Sequence, residues 1–135
     1  MFNKIPVFFL FLLFSASCQS GEQYEKSTDP LDGGRNFIQN FMQGDVKKAH
    51  AYLLSDPENE AFFKQMTDQY FSLDKEGRSL LRQASIQINE VSAVDSTITI
   101  INYQTTTHPK AQKLKLIQTP DGWKVDLKYS YGPNL

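Results

Sequence analysis

The chain has 135 residues, 14 basic and 15 acidic side chains, and a formal net charge of −1. That length fits one domain, and the balanced charge supplies no basic surface for neutralising phosphates, so nucleic-acid binding is not expected. The single cysteine rules out disulfide frameworks and thiolate metal centres together.

The chain begins with Lys4 and an apolar run from Ile5 to Phe14, interrupted by Pro6. Spanning a bilayer takes about 20 apolar residues, and this run is far shorter, so residues 1–17 read as a removable signal peptide. Ser15, Ala16 and Ser17 then lead directly into Cys18. The arrangement resembles a lipobox, with Ser15 standing where a Leu-like residue is usual. An unpaired thiol in an exported protein needs an explanation, and lipid attachment at Cys18 supplies one. The expected partner is the membrane, reached through acyl chains (palmitate among them) that each contribute about 0.8 kcal/mol per buried methylene. Gln19, Glu22 and Glu25 follow. An acidic tether of this kind resembles those of outer-surface lipoproteins, which implies a bacterial cell-envelope location at the outer membrane. Residues 18–28 are expected to be the lipidated cysteine and a flexible tether, and 29–135 the folded domain.

Asp29-Pro30 is a helix start, with aspartate at the cap and proline in the first turn. Gly33 and Gly34 weaken that first turn. Phe37, Ile38, Phe41 and Met42 then form one helical stripe, which Gly44 ends. Asp45 caps a second helix carrying Val46, Ala49 and Leu53 on one face. Asp56-Pro57 opens a third with Phe62, Phe63, Met66 and Tyr70. A short helical turn is expected over Glu76 to Ala84.

Beyond Ser85 the period changes from helical to alternating. Ile86 and Ile88 begin a strand, Ser92 to Asp95 makes a turn, and Thr97 to Thr106 is rich in β-branched residues. Thr107-His108-Pro109 predicts the next turn, and Leu114 and Leu116 follow in a third strand. Asp121-Gly122 predicts a tight hairpin. In the last strand Trp123, Val125, Leu127 and Tyr129 face one way, and Lys124, Asp126 and Lys128 the other. Ile98 and Ile100 share one parity while Ile101 and Tyr103 hold the opposite one. A bulge near Ile100 is the expected cause. If Ile101 and Ile117 instead both point outward, they mark a patch through which two copies pair as a homodimer. The sum is an α+β fold: three N-terminal helices packed on a curved four-stranded antiparallel meander.

This order of elements resembles the cystatin/nuclear transport factor two-like (NTF2-like) superfamily, a cone of sheet wrapped around helices. More narrowly, it is similar to a family of bacterial lipoproteins there, described as lumazine-binding-like. The similarity rests on the aromatic helix before Gly44-Asp45, on Lys47-Lys48-Ala49, and on the hairpin Asp121-Gly122-Trp123-Lys124-Val125. Such a resemblance implies an interior cavity, used by some members for isomerase or dehydratase chemistry and by others for binding alone.

Residue by residue, little here points to catalysis. Asp126, the acid of the last strand, has the parity of the solvent face, and Glu90 and Asp95 flank a turn. His50 and His108 lie far apart, so neither a metal nor a cofactor is expected. Tyr70, Tyr103, Trp123 and Tyr129, with His50, are the candidate pocket-lining residues for a small planar or apolar ligand. Ordinary core and rim packing explains amphipathic aromatics on such faces as well. The expectation is a membrane-anchored envelope lipoprotein with a non-catalytic ligand-binding or interaction domain. The alternatives are a small isomerase- or dehydratase-type enzyme and an accessory protein that pairs through its outer sheet face.

Overall fold

The structure, a computed structural model, describes residues 24–132. The expected leader and Cys18, the expected site of lipid attachment, lie outside those residues. Helix α1 (Pro30–Met42) is followed by α2 (Val46–His50), α3 (Pro57–Ser72) and α4 (Lys75–Gln83). Strands β1 (Ile86–Ala93), β2 (Ile98–Thr105), β3 (His108–Thr119) and β4 (Gly122–Asp126) come next, then a single turn of helix, α5 (Lys128–Tyr131). The strands pair antiparallel in the order β1-β2-β3-β4, the expected meander. Among the described residues no helix is long and apolar enough to cross a membrane.

An aspartate starts each of the first four helices. Asp29, Asp45, Asp56 and Asp74 each accept a hydrogen bond from a backbone N–H of the first turn. Those are donors that the helix itself leaves unpaired. Asp74 turns the short helical turn expected after Glu76 into a full helix. Helix α1 ends where Gly44 takes φ +80° and Asp45 N–H donates to Asn40 O at 2.9 Å.

Gly33 and Gly34 do not break the first turn of α1; they let it lie against the sheet. A Cβ on Gly34 would stand 2.8 Å from Ile101 Cδ1, and one on Gly33 3.1 Å from the Trp123 carbonyl oxygen. Close approach offsets the entropy that glycine costs a helix. The result is that α1 touches all four strands. Its Phe37, Ile38 and Met42 pack with Ile101, Leu114, Leu116 and Val125 in one buried core that Phe63 of α3 joins.

Strand parity differs from expectation in one place. Pairing between β2 and β3 runs unbroken from Ile98 to Tyr103, so there is no bulge near Ile100. The irregularities fall instead between Ile88 and Glu90 on β1 and between Tyr103 and Thr105 on β2. Ile101 is therefore the inward residue, 1% exposed, and the outward pairing patch that needed it is not formed. Ile98, Ile100 and Ile117 occupy the outer face, half-buried. Lys115, directly opposite Ile100, reaches on to Asp126 and keeps its aliphatic stem on that face.

The hairpin turns are also displaced by a residue. Thr105 pairs with His108, so Pro109 belongs to the start of β3 and the turn is Thr106-Thr107. Thr119 pairs with Gly122, which leaves Pro120-Asp121 as the loop, and Gly122 takes φ +98° as the first residue of β4.

An edge strand exposes unpaired backbone groups, and β4 has its own covered. Trp123 N–H donates to Ser27 O at 3.2 Å, and Ser27 Oγ donates to Trp123 O at 2.9 Å. Further along, Val125 N–H donates to Tyr52 O at 2.8 Å and Leu54 N–H to Val125 O at 2.9 Å. Tyr24 and Ser27, expected in the tether, are thus part of the fold. Tyr24 packs on Tyr52 with ring centroids 5.2 Å apart, and Lys124 Nζ sits 4.3 Å above the Tyr24 ring.

Candidate functional site

The helices and the sheet leave a cavity of about 630 Å³ between β3, α1, α3 and α5. Its floor is Phe37, Leu114 and Leu127, all buried; Met66, Tyr103 and Gln112 form half-buried walls. His108, Lys110, Lys113 and Tyr131 are exposed and make the rim. Each position follows from the fold. The core parity of β2 and β3 sets Tyr103 beside Gln112 and Ile101 beside Leu114. Helix α5 is held over the end of β3 by Ser130 Oγ, which donates to Lys113 O at 2.6 Å.

Burial pushes the Tyr103 phenol well above the ordinary tyrosine value, and burial raises Tyr131 as well. Both therefore stay neutral at physiological pH, and Tyr103 donates to Gln112 Oε1 at 3.3 Å. The titratable groups around the cavity are these two phenols, His108, Lys110 and Lys113. Such a set can donate hydrogen bonds and hold a negative charge beside an apolar surface. Among the described residues no group of three His, Cys, Asp or Glu is placed to hold a metal ion.

A second, smaller cavity of about 420 Å³ lies between α1, α2 and the N-terminal segment, lined in part by Tyr24, Glu25, Lys47 and Lys48. Its lining holds one acid, Glu25, one amide, Asn40, and two lysines, of which Lys48 lies 3.5 Å from Asp45.

The candidate residues named from sequence scatter. Tyr103 lines the larger cavity. Tyr70 is buried behind α1, edge-on to Phe41 and Phe71 at 5.7 and 5.3 Å. Trp123 is buried where α1 crosses β4. Tyr129 is 38% exposed on α5, because β4 stops at Asp126 and the alternation expected through Tyr129 gives way to helix. His50 is exposed, with Nε2 2.8 Å from Glu60 Oε2 and its ring edge-on to Phe63. Asp95 caps its own turn, accepting from Thr97 N–H at 2.7 Å.

Asp126 departs most from expectation. It has the outer parity but is only 6% exposed. Asn59, which is fully buried, donates from Nδ2 to Asp56 Oδ2 at 3.0 Å and to Asp126 Oδ1 at 3.2 Å. Asn59 Oδ1 accepts from Lys128 N–H at 3.2 Å, and the Lys128 ammonium binds Asp56. The backbone N–H of Asn59, then the Lys128 side chain, hold the Asp56 carboxyl below its ordinary value. This cluster ties the start of α3 to the end of β4 and to α5. Its groups satisfy one another, and none lines the larger cavity.

No family model matches this chain, and no curated protein matches it either.

Proposed function

We propose that this chain is a lipid-anchored binding protein of the bacterial cell envelope, whose domain holds a small apolar or planar ligand and is not an enzyme. The observation that carries the binding half is the cavity of about 630 Å³ with a buried apolar floor. That volume lies in the range of small-molecule pockets, which are mostly apolar with a few placed polar groups. Its titratable groups are neutral phenols, a histidine and lysines, and among the described residues no carboxylate lines it to pair as acid and base. Helices preceding a four-stranded meander, with α1 laid across every strand, support a place in the NTF2-like group. The anchoring half is carried by Cys18, the lone thiol behind a short apolar run.

Two measurements test the two halves. The neutral fluorophore N-phenylnaphthylamine should bind the purified domain, and Met66→Trp, which fills the cavity from α3, should weaken that binding at least tenfold. Retained helical circular dichroism in the variant would show that it still folds. Binding that survives the filled cavity counts against this site. For the anchor, Cys18→Ala should move the protein from the membrane to the soluble fraction. Membrane association that persists in that variant ends the lipid claim.

A further inference from the structure

We propose that the larger cavity takes an aromatic anion: a flat ring system carrying a single carboxylate, sulfonate or phosphate head. This rests on the binding reading above and adds the ligand's chemical class. The polarity of the cavity is ordered by depth. Phe37, Leu114 and Leu127 at the floor offer no polar side-chain atom, and the rings of Tyr103 and Tyr131 stand above them. Phenyl and phenol faces beside a thioether such as Met66 suit a ring more than a branched aliphatic body. An apolar body is thus expected to enter first and to leave its polar end at the rim.

The rim is one-signed. Lys110, Lys113 and His108 line it, and among the described residues no aspartate or glutamate lines the cavity. Elsewhere Lys48, Lys64, Lys115, Lys124 and Lys128 each reach an aspartate, while Lys26, Lys47 and Lys75 form no ion pair among the described residues. Among the described residues neither Lys110 nor Lys113 forms an ion pair. Lys110 shares the inward parity of Gln112 and Leu114, and its ammonium above a low-dielectric floor favours an anion there over a neutral or cationic group.

Gln112 sharpens the choice. Its Oε1 accepts from the Tyr103 hydroxyl at 3.3 Å. The amide Nε2 is left as a donor at the level between floor and rim. Ser130 spends its hydroxyl on the Lys113 carbonyl. Lys110 has only donors to offer a ligand head, and Gln112 Nε2 and the Tyr131 hydroxyl can each add one, which suits an oxyanion.

The test uses the mature domain and a matched pair of probes: anilinonaphthalene sulfonate and neutral N-phenylnaphthylamine. The two share a ring system and differ in the charged head. Wild type should prefer the sulfonate, and Lys110→Gln should reduce that preference roughly two- to fivefold, the range for one solvent-screened charge. The preference should also shrink as salt is raised. If the neutral probe binds and both proteins treat the two probes alike, the charge assignment is wrong and the cavity reading stands. If neither probe binds wild type, both are wrong. Met66→Trp separates cavity binding from adhesion elsewhere: sulfonate binding that survives it overturns the assignment.

Discussion

Gly122→Ala should lower the stability of the domain by about 3 kcal/mol, read as a shift of the urea midpoint at constant slope. Two independent costs meet at this residue. Gly122 holds φ +98°, where a side chain strains the backbone by roughly 1–3 kcal/mol. A Cβ there would also stand 2.8 Å from Ser27 O and 3.2 Å from Ser27 N. Those neighbours are main-chain atoms and cannot swing aside as a side-chain terminus does. Relief requires moving the segment that covers β4, and that breaks the hydrogen bonds between Ser27 and Trp123. A loss below about 1 kcal/mol would mean that this segment yields freely and contributes little to the fold.

Asn59→Ala is expected to cost a similar amount, about 2–4 kcal/mol, by a different route. The side chain is fully buried and serves three partners at once: Asp56, Asp126 and the Lys128 N–H. Removing it takes one donor from a buried carboxylate and one of two acceptors from the Lys128 N–H, and leaves a void. A double-mutant cycle isolates the coupling: with Asp126→Ala already present, Asn59→Ala should cost markedly less. Equal costs in both backgrounds would show that the two residues act separately. Acid adds a second readout. Asp56 is held below its unfolded value, so its stabilising contribution is complete above pH about 4 and is lost as pH falls through the lower folded value.

What could be read from sequence divides by the range of the interaction concerned. Asp29-Pro30 and Asp56-Pro57 mark helix starts because the capping oxygen and the fixed proline φ act within three residues. Alternation marks four strands for the same reason, since successive side chains must point to opposite faces. Parity gives a face but not what lies over it. Asp126 has the outer parity as expected and is buried because the start of α3 covers that side. Leu127 and Tyr129 continue the alternation beyond β4, yet the chain turns into α5, where Lys128 N–H is held by Asn59 Oδ1 and Asp126 Oδ1. Those bonds span up to 69 positions and have no local signature.

The candidate site shows the same division. Tyr103 was legible as an inward aromatic, and its neighbours were not. Tyr131 reaches the cavity only because α5 folds back over β3, and Lys110 and Lys113 are ordinary surface lysines until that wall exists. Tyr70 and Trp123 have inward positions too, but Gly44 packs against Tyr70 and Gly33 seats α1 against Trp123, so both are buried in packing.

The covered edge of β4 also fixes an orientation. Tyr24 to Ser27 lies beside Trp123 and Lys124, near the far end of β3, whereas the rim of the cavity is built on His108 to Lys113 at its start. From His108 to Gln118 an extended strand covers roughly 30 Å. The mouth and Tyr24 therefore stand at opposite ends of β3, so a support attached ahead of Tyr24, as the proposed anchor is, would meet the domain on the side away from the opening.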